Sequence, residues 1–256
     1  MKTGKVLTGV AVFAVFGVSV SAHANMLVNG GLEVTSSQLA ADTSLVYPDG
    51  LIHASQTTHS SALDGWTIGG ASIDVVPNTY WQSTQGSYSV DLIGTTGIGS
   101  ITQTVSGLTP GNMYELSFDF TVNPSNGGHG GESSFIKWLH VGITNSSLPD
   151  FYFSGTPSGT QTATDMDYVR RAIDFTATGS TTTIMLNAIF PSTLPAFFPD
   201  GTPVTADSLY TGPVVDNVDL EDITPVLGGG QVAQLPEPGS LAALSISGLM
   251  LLRRRR

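Results

Sequence analysis

The sequence predicts an all-β protein, specifically an antiparallel β-sandwich of the jelly-roll type. Hydrophobic and polar residues alternate with a period of two in several short segments, as expected for strands with one buried face. The segments between them are rich in Gly, Pro, Ser, Thr and Asn, the residues that favour turns. The chain has few Lys and Glu residues and no convincing internal amphipathic helix, which also favours strands.

The clearest predicted strand is residues 114–122, because every second residue from Tyr114 to Val122 is apolar. Residues 101–105 alternate as well, and Pro110-Gly111 between the two segments is typical of a tight turn. We therefore expect these two strands to form an antiparallel hairpin. Further strands are expected at residues 72–76, 87–93, 135–143, 168–176, 182–189 and 214–221.

Two segments break this alternation. Residues 36–61 are long and polar, whereas residues 190–212 are rich in Pro and aromatic residues. Both are expected to be long loops outside the sandwich. Residues 223–234 contain three consecutive glycines and are predicted to be a flexible spacer. The sandwich domain is therefore expected to span residues 25–222.

The N-terminus has the pattern of a secretory signal peptide over residues 1–24. Lys2 and Lys5 precede an apolar stretch at residues 6–20, and the small residues of Ala22-His23-Ala24 follow it. Signal peptidase is expected to cut between Ala24 and Asn25. The alternative is an uncleaved membrane helix, which the short apolar stretch and the cleavage pattern disfavour.

The C-terminal residues 235–256 combine an extended box, a short apolar helix and a basic end. Residues 241–252 would span about 18 Å as a helix, less than the roughly 30 Å hydrocarbon core of a membrane. The arginines after them favour a cytoplasmic C-terminus. An ordinary membrane anchor is the alternative to a removable signal. The box is Pro236, Glu237 and Pro238, and the basic end is Arg253, Arg254, Arg255 and Arg256.

This order of box, apolar helix and arginines resembles the PEP-CTERM sorting signal of Gram-negative bacteria that make exopolysaccharide. The resemblance implies that an exosortase, a membrane enzyme, recognises the box and processes the tail. It further implies that the protein is anchored briefly in the inner membrane and then reaches the cell surface or the extracellular matrix.

The charge of the domain excludes one class of partner. Without the two terminal signals, three basic residues remain against nineteen acidic residues, a net charge of −16. Such a surface repels nucleic acid and anionic lipid but attracts divalent cations. The chain has no cysteine, so an exported form must be stabilised by its core, with or without a bound metal.

The body contains a series of motifs in a fixed order. They include Asn29-Gly30-Gly31-Leu32-Glu33, Asp64-Gly65-Trp66, Gly86-Ser87-Tyr88-Ser89-Val90-Asp91 and Val214-Val215-Asp216-Asn217-Val218. Together these motifs resemble the choice-of-anchor C domain over residues 25–221. That resemblance implies a galactose-binding-like jelly roll, the architecture of many carbohydrate-binding modules. The segment at residues 36–61 is longer than the usual spacing of that family.

Glu33 and Asp216 are the candidate metal ligands. Asp216 alternates in phase with Val214, Val218 and Leu220, so we expect its carboxylate to face the core, where it needs a partner. Calcium bound by Asp216, Glu33 and backbone carbonyls would provide one. The two positions also match those of the structural calcium in galactose-binding-like modules. The alternative is that Asp216 accepts backbone amides and Glu33 is solvated.

Tyr80, Trp81, Gln82 and Tyr88 are the candidate ligand-binding residues. Exposed aromatic rings stack on sugars, and nearby amides bind their hydroxyl groups. The alternative is that the tryptophans, Trp66 and Trp81, pack in the core or at its rim. A second candidate aromatic patch comprises Phe151, Tyr152, Phe153, Phe197 and Phe198.

No sequence motif indicates an enzyme. The histidines lack a metal-ligand spacing, there is no Cys nucleophile, and no nucleophile-elbow motif is present. We expect an exported, non-catalytic protein that contacts exopolysaccharide. The alternatives are a structural or adhesion protein that binds other proteins and, more remotely, an enzyme acting on glycosides.

Overall fold

The structure is a computed structural model that describes residues 24–41, 44–46, 48, 50–125, 135–189, 197, 203 and 209–225. The predicted sorting tail, residues 235–256, lies outside the described residues. The same is true of the predicted signal peptide except Ala24, of the spacer beyond residue 225, and of most of residues 190–212. Within the described part, no helix has the length and apolar character needed to cross a membrane.

The described residues form one short helix and twelve strands. The helix is α1 (Ser36–Ala41). The strands are β1 (Ile52–Ala54), β2 (Thr67–Gly70), β3 (Ile73–Pro77), β4 (Tyr88–Asp91), β5 (Ile93–Gly94), β6 (Gly97–Ser106), β7 (Met113–Val122), β8 (Lys137–Ile143), β9 (Asp150–Gly155), β10 (Val169–Thr176), β11 (Thr181–Ile189) and β12 (Pro213–Asp222).

The strands form two antiparallel sheets, which confirms the predicted all-β class with antiparallel pairing. The first sheet has the order β1-β3-β4-β12-β7-β10, and the second has the order β2-β6-β11-β8-β9 with β5 paired to β6. Strands β9 and β10 are therefore the last strands at one side of the second and first sheets, respectively. The longest pairings are those of β7 with β12 and with β10, and both join segments that are far apart in the sequence.

The hydrophobic core contains buried residues from both sheets. On β7 it buries alternate residues, as the sequence predicts, including Tyr114, Leu116 and Phe118. Phe118 is fully buried, and its ring packs edge-on against Phe153 of β9 with 5.4 Å between the ring centroids. Strand β7 thus contributes a continuous apolar stripe to the interior.

The eight strands predicted from alternation are all present, with ends that shift by a few residues. The predicted hairpin is wrong, because β6 lies in the second sheet and β7 in the first. The turn itself forms: Asn112 donates its backbone N–H to Thr109 at 3.0 Å, and Gly111 has a φ of 91°. This turn carries the chain from one sheet to the other.

Three strands and the helix lie entirely outside the predicted elements, and β5 overlaps a predicted strand only at Ile93. Strand β1 and helix α1 lie in residues 36–61, where we expected only a loop. Strand β9 alternates between half-buried and exposed residues at the edge of its sheet, and β2 has only four residues. Such short or edge strands bury little surface, so their hydrophobic pattern is weak.

Strand β12 contains a β-bulge, and the side chain of Asp216 therefore lies on a different face of the sheet from the predicted one. Asp216 is opposite Asp119 and Asp219 is opposite Ser117, so β12 has one extra residue, and Asn217 has a φ of 49°. Val218 therefore joins the main core, whereas Asp216 shares the other face of the sheet with Val214. The prediction that Asp216 faces the core in phase with Val218 is wrong, although its carboxylate is buried.

Replacing Phe118 with Ala should lower the free energy of unfolding by about 3 to 5 kcal/mol, because it leaves a cavity in the core. The matched control is Met113→Ala on the same strand, where the side chain is 40% exposed and the expected change is within about 0.5 kcal/mol. Equal losses in urea unfolding of the two variants would contradict this assignment of the core.

Candidate functional site

The carboxylate of Asp216 accepts hydrogen bonds from a loop between β3 and β4. Its Oδ2 accepts the backbone N–H of Thr84 at 2.6 Å, the Thr84 hydroxyl at 3.0 Å and the backbone N–H of Gln85 at 3.0 Å. Its Oδ1 accepts the N–H of Asn217 at 2.6 Å. Because Asp216 is fully buried, these donors satisfy a charge that would otherwise be costly.

Glu33 binds the other end of the same loop. Both of its carboxylate oxygens accept the backbone N–H of Ser87, at 2.9 and 3.0 Å, and Oε1 accepts that of Tyr88 at 3.1 Å. Gly86 lies against this carboxylate with a φ of 62°, and a Cβ there would collide with it. Glu33 and Asp216, hereafter the carboxylate pair, thus fix residues 84–88, hereafter the 84–88 loop.

The carboxylate pair does not fit a shared calcium site. Each of the four carboxylate oxygens accepts at least one N–H bond, whereas calcium needs oxygens that are open to the cation. Among the residues that the structure describes, no group of three or more His, Cys, Asp or Glu side chains could hold a metal. Calcium binding remains a prediction, and the geometry matches the amide-bound alternative for Asp216.

Trp81 anchors the segment that precedes the 84–88 loop. Its indole is 4% exposed, donates from Nε1 to the Ser89 hydroxyl at 2.8 Å, and packs with Val76, Met166 and Val214 in a small second cluster. This cluster lies on the face of the first sheet that points away from the main core. Trp81 is therefore a packing residue, and Trp66 likewise lies in the main core.

Gln82 ties this segment to a second loop. Its backbone N–H donates to Ala163 at 2.7 Å, and its side-chain oxygen accepts the N–H of Met166 at 3.2 Å. Tyr88 is half-buried against the main core. Burial, with a smaller contribution from the charge of Glu33, raises the pKa of its phenol above 10.0. Gln82 and Tyr88 support the loops but do not line the cleft described next.

Tyr80 and Trp81 line an open cleft of about 250 Å³, hereafter the Tyr80 cleft. The Tyr80 side chain is 48% exposed, and its ring meets the Trp81 ring edge-on with 5.6 Å between centroids and 73° between planes. The structure thus joins two of the four predicted ligand-binding residues in one site. The other lining residues are Leu51, Asp74, Val76, Asp91, Asn123, Ser125, Tyr210 and Thr211.

Asp91 is a deeply buried polar residue of the Tyr80 cleft, at 1% exposure. Its Oδ1 accepts the N–H of Ile93 at 2.9 Å, and its Oδ2 accepts the Asn123 amide at 2.6 Å and the N–H of Gly212 at 3.3 Å. Burial raises its pKa to about 7, and the negative charge of Asp74 adds to the rise while the three donors oppose it. Asp91 therefore joins three segments of chain beneath the cleft.

Asp74 lies opposite Asp91 in the pairing of β3 with β4, and opposite His53 in the pairing of β1 with β3. Its Oδ1 is 2.6 Å from His53 Nδ1, which is also 2.8 Å from the Thr95 hydroxyl. Its Oδ2 accepts no hydrogen bond from any residue in the described ranges. Asp74 thus offers the cleft one oriented oxygen that a ligand hydroxyl can donate to.

Asp74, Asp91 and Asn123 are not among the site residues predicted from the sequence. Asp74 and Asp91 lie in correctly predicted strands, as polar residues between apolar ones. In that pattern the polar residues lie on the face opposite the core. This is the feature of the sequence from which the two aspartates could have been predicted. Their proximity depends on the register of β3 against β4, which a single sequence does not contain.

The Asp216→Ala variant should lower the free energy of unfolding by roughly 3 kcal/mol or more, because several buried donors lose their acceptor. Asp174→Ala, which removes an exposed carboxylate from β10, is the control and should change it by less than about 0.5 kcal/mol. Urea unfolding measures both, and a small effect at Asp216 would contradict the proposed role of this carboxylate.

The domain should become more stable as the pH falls from 8 to 5. Burial raises the pKa of Asp91 to about 7 and that of Asp216 to about 6, from 3.8, so the folded state retains protons that the unfolded chain has released. This stabilisation is complete below about pH 4 and is lost as the pH rises through 6 and 7. Melting temperatures measure it, and the Asp91→Asn variant should show a shallower dependence. A melting temperature that increases with pH over this range would contradict it.

Comparisons with known proteins give one curated relative. Halomucin of Haloquadratum walsbyi is 26% identical over 235 residues, which cover 91% of this chain. The matched region is only 2% of the length of halomucin.

Solved structures resemble the chain only distantly. TmCBM61 in complex with beta-1,4-galactotriose gives a TM-score of 0.40 at 12% identity, covering 78% of this chain and 99% of that one. The CBM22-1 xylan-binding domain of Paenibacillus barcinonensis Xyn10C gives 0.36 at 14% identity, covering 68% and 94%. At such TM-scores these similarities carry no argument about function.

One protein family matches residues 47–221, a span that contains every strand of both sheets except the last residue of β12. The match ends before the predicted sorting tail, so the PEP-CTERM signal remains a prediction, as does the choice-of-anchor C resemblance. Because the match covers more than half of the sequence, the chain belongs to the DUF642 family, which is described as proteins of unknown function.

Proposed function

We propose that this protein is a non-catalytic glycan-binding module whose binding site is the Tyr80 cleft. The observation that carries the proposal is an exposed aromatic ring on a fixed segment, beside a carboxylate oxygen without a partner among the described residues. An aromatic face stacks on a sugar ring, and a carboxylate oxygen accepts its hydroxyl groups. Tyr80 and Asp74 supply these two kinds of contact.

The rigidity of the site favours binding. Trp81 is buried next to Tyr80, and the carboxylate pair holds the 84–88 loop a few residues further on. A ligand therefore does not have to order this segment when it binds, which reduces the entropic cost of association. The cleft volume of about 250 Å³ suits a short stretch of glycan rather than a long groove-bound chain.

The chemistry of the cleft favours binding over catalysis. Asp91 has a pKa near 7, as a general acid would, but both of its oxygens already accept hydrogen bonds and its side chain is buried. Asp74 is paired with His53. Asp91 therefore lacks the open access to a scissile bond that acid–base catalysis requires, so we assign it a supporting role.

The proposed cellular location of this protein rests on the sequence patterns at its two ends. A signal peptide, a PEP-CTERM-like tail and a strongly acidic domain suit an exported protein sorted by an exosortase to the cell surface or matrix. Exopolysaccharide would be the glycan available there. Signal peptidase and exosortase are the partners implied during export.

The Tyr80→Ala variant should lose affinity for a neutral oligosaccharide by about tenfold, because it removes the stacking surface. A glycan array with the purified full chain identifies the ligand, and titration calorimetry then measures the loss. Tyr152→Ala is the matched control, since Tyr152 is 59% exposed on β9 in the other sheet, and its affinity should not change. Equal affinities of the two variants, or no saturable binding to any glycan, would count against the proposal.

The Glu237→Ala variant should remain unprocessed at its C-terminus when expressed in a host that has an exosortase. Gln234→Ala, just before the box, is the control and should be processed normally. Immunoblots of membrane and secreted fractions follow both forms. Normal processing of the Glu237 variant would remove the exosortase hypothesis without affecting the glycan proposal.

A further inference from the structure

The described domain contains three basic residues, and two of them are fully engaged. Lys137 is 4% exposed and donates to the Thr211 hydroxyl at 2.6 Å. Arg170 donates to the Ser117 hydroxyl at 2.8 Å and is 3.4 Å from Asp119. Arg171 differs, since within the described ranges it makes no hydrogen bond and no ion pair.

Arg171 is held in place by aromatic rings instead. Its guanidinium lies 5.9 Å from the ring centroid of Phe120 and 5.8 Å from that of Phe153. Its Nε is buried and has no hydrogen-bond partner. A cation fixed by stacking with an unsatisfied donor is unusual in a chain that has so few basic residues. Its guanidinium therefore has donors that no residue in the described ranges occupies.

A cleft of about 190 Å³ lies at this arginine, hereafter the Arg171 cleft. It lies at the side of the sandwich where β9 and β10 are the last strands of their sheets. Arg171 is opposite Phe118 in the strand pairing, so it lies on the core-facing side of β10. The lining residues are Phe120, Thr121, Val122, Ser154, Gly155, Thr156, Ser158, Gln161, Asp167, Val169 and Arg171.

We propose that the Arg171 cleft binds the carboxylate of an acidic sugar residue, at a second site separate from the Tyr80 cleft. A guanidinium presents paired donors that match a carboxylate, and the cation–π contacts with Phe120 and Phe153 hold it in place. The volume is below the roughly 300 Å³ of a pocket for drug-sized ligands, which suits one sugar residue.

The remaining lining favours a sugar over a simple anion. Asp167 also lines the cleft, and its carboxylate accepts the Ser158 hydroxyl. Its negative charge opposes a plain anion, but it can accept the hydroxyl groups that a uronate carries beside its carboxylate. Ser154 and Thr156 add exposed hydroxyl groups. An acidic peptide offers the carboxylate without the adjacent hydroxyl donors.

The test is calorimetry of the full chain with an oligomer of β-1,4-linked mannuronate at low salt. The matched ligand is the same oligomer with its carboxylates reduced to CH₂OH, and polyglutamate represents an acidic peptide. We expect binding of the mannuronate oligomer only. Equal binding of the reduced oligomer, or preferred binding of polyglutamate, would overturn the proposal.

Variants of Arg171 and Tyr80 distinguish a loss of binding at the Arg171 cleft from misfolding and from binding at the Tyr80 cleft. Arg171→Gln should weaken mannuronate binding at least about tenfold, because a charge-assisted contact is lost. Arg171→Lys should retain part of the affinity, which a merely unfolded variant would not, and unchanged far-UV circular dichroism checks folding. Tyr80→Ala should bind mannuronate normally, so the two sites can fail independently. If Arg171→Gln binds like the parent chain, Arg171 only protects the edge strand from pairing with another chain, and the proposal is wrong.

Discussion

The hydrogen bonds from the 84–88 loop to the carboxylate pair are the constraint on which the candidate site depends. Glu33 comes from the start of the domain and Asp216 from its last strand, yet both carboxylates accept backbone amides of the 84–88 loop. Asp216 accepts those of residues 84 and 85, and Glu33 accepts those of residues 87 and 88. A buried carboxylate is tolerated only when donors surround it, and here loop amides supply those donors. The bonds therefore close the domain from both ends of its sequence while they fix the segment that carries Tyr80.

Two features of the fold relate this constraint to the Tyr80 cleft. The bulge in β12 directs Asp216 to the face of the first sheet that lies outside the main core. Trp81 and its small cluster then cover that face, so the neighbouring Tyr80 ring is exposed but held. Asp74 and Asp91 lie opposite each other in β3 and β4 beside it. Asp74 has one carboxylate oxygen that accepts no hydrogen bond in the described ranges, and Asp91 accepts hydrogen bonds from the surrounding chain.

Alternation in the sequence was enough to predict the all-β class and eight strands, because a half-buried strand must alternate. The sheet to which each strand belongs was harder to predict. The short segment between β6 and β7 in the sequence is typical of a hairpin, yet the two strands belong to different sheets. The bulge at Asn217 adds one residue to β12 and reverses which residues face the core. The predicted direction of the Asp216 side chain was therefore wrong, whereas its predicted burial was correct. Asp74, Asp91 and Arg171 acquire their roles only through pairing and stacking between distant segments.

The central claim is that the carboxylate pair holds the 84–88 loop, and amide hydrogen exchange of its backbone measures this most directly. Thr84, Gln85 and Ser87 have exposed side chains, so without these bonds their amides should exchange as fast as those of other surface loops. We expect NMR to show strong protection at all three positions, together with loss of protection at Thr84 and Gln85 in Asp216→Ala and at Ser87 in Glu33→Gln. Unprotected amides in the parent chain would contradict the account.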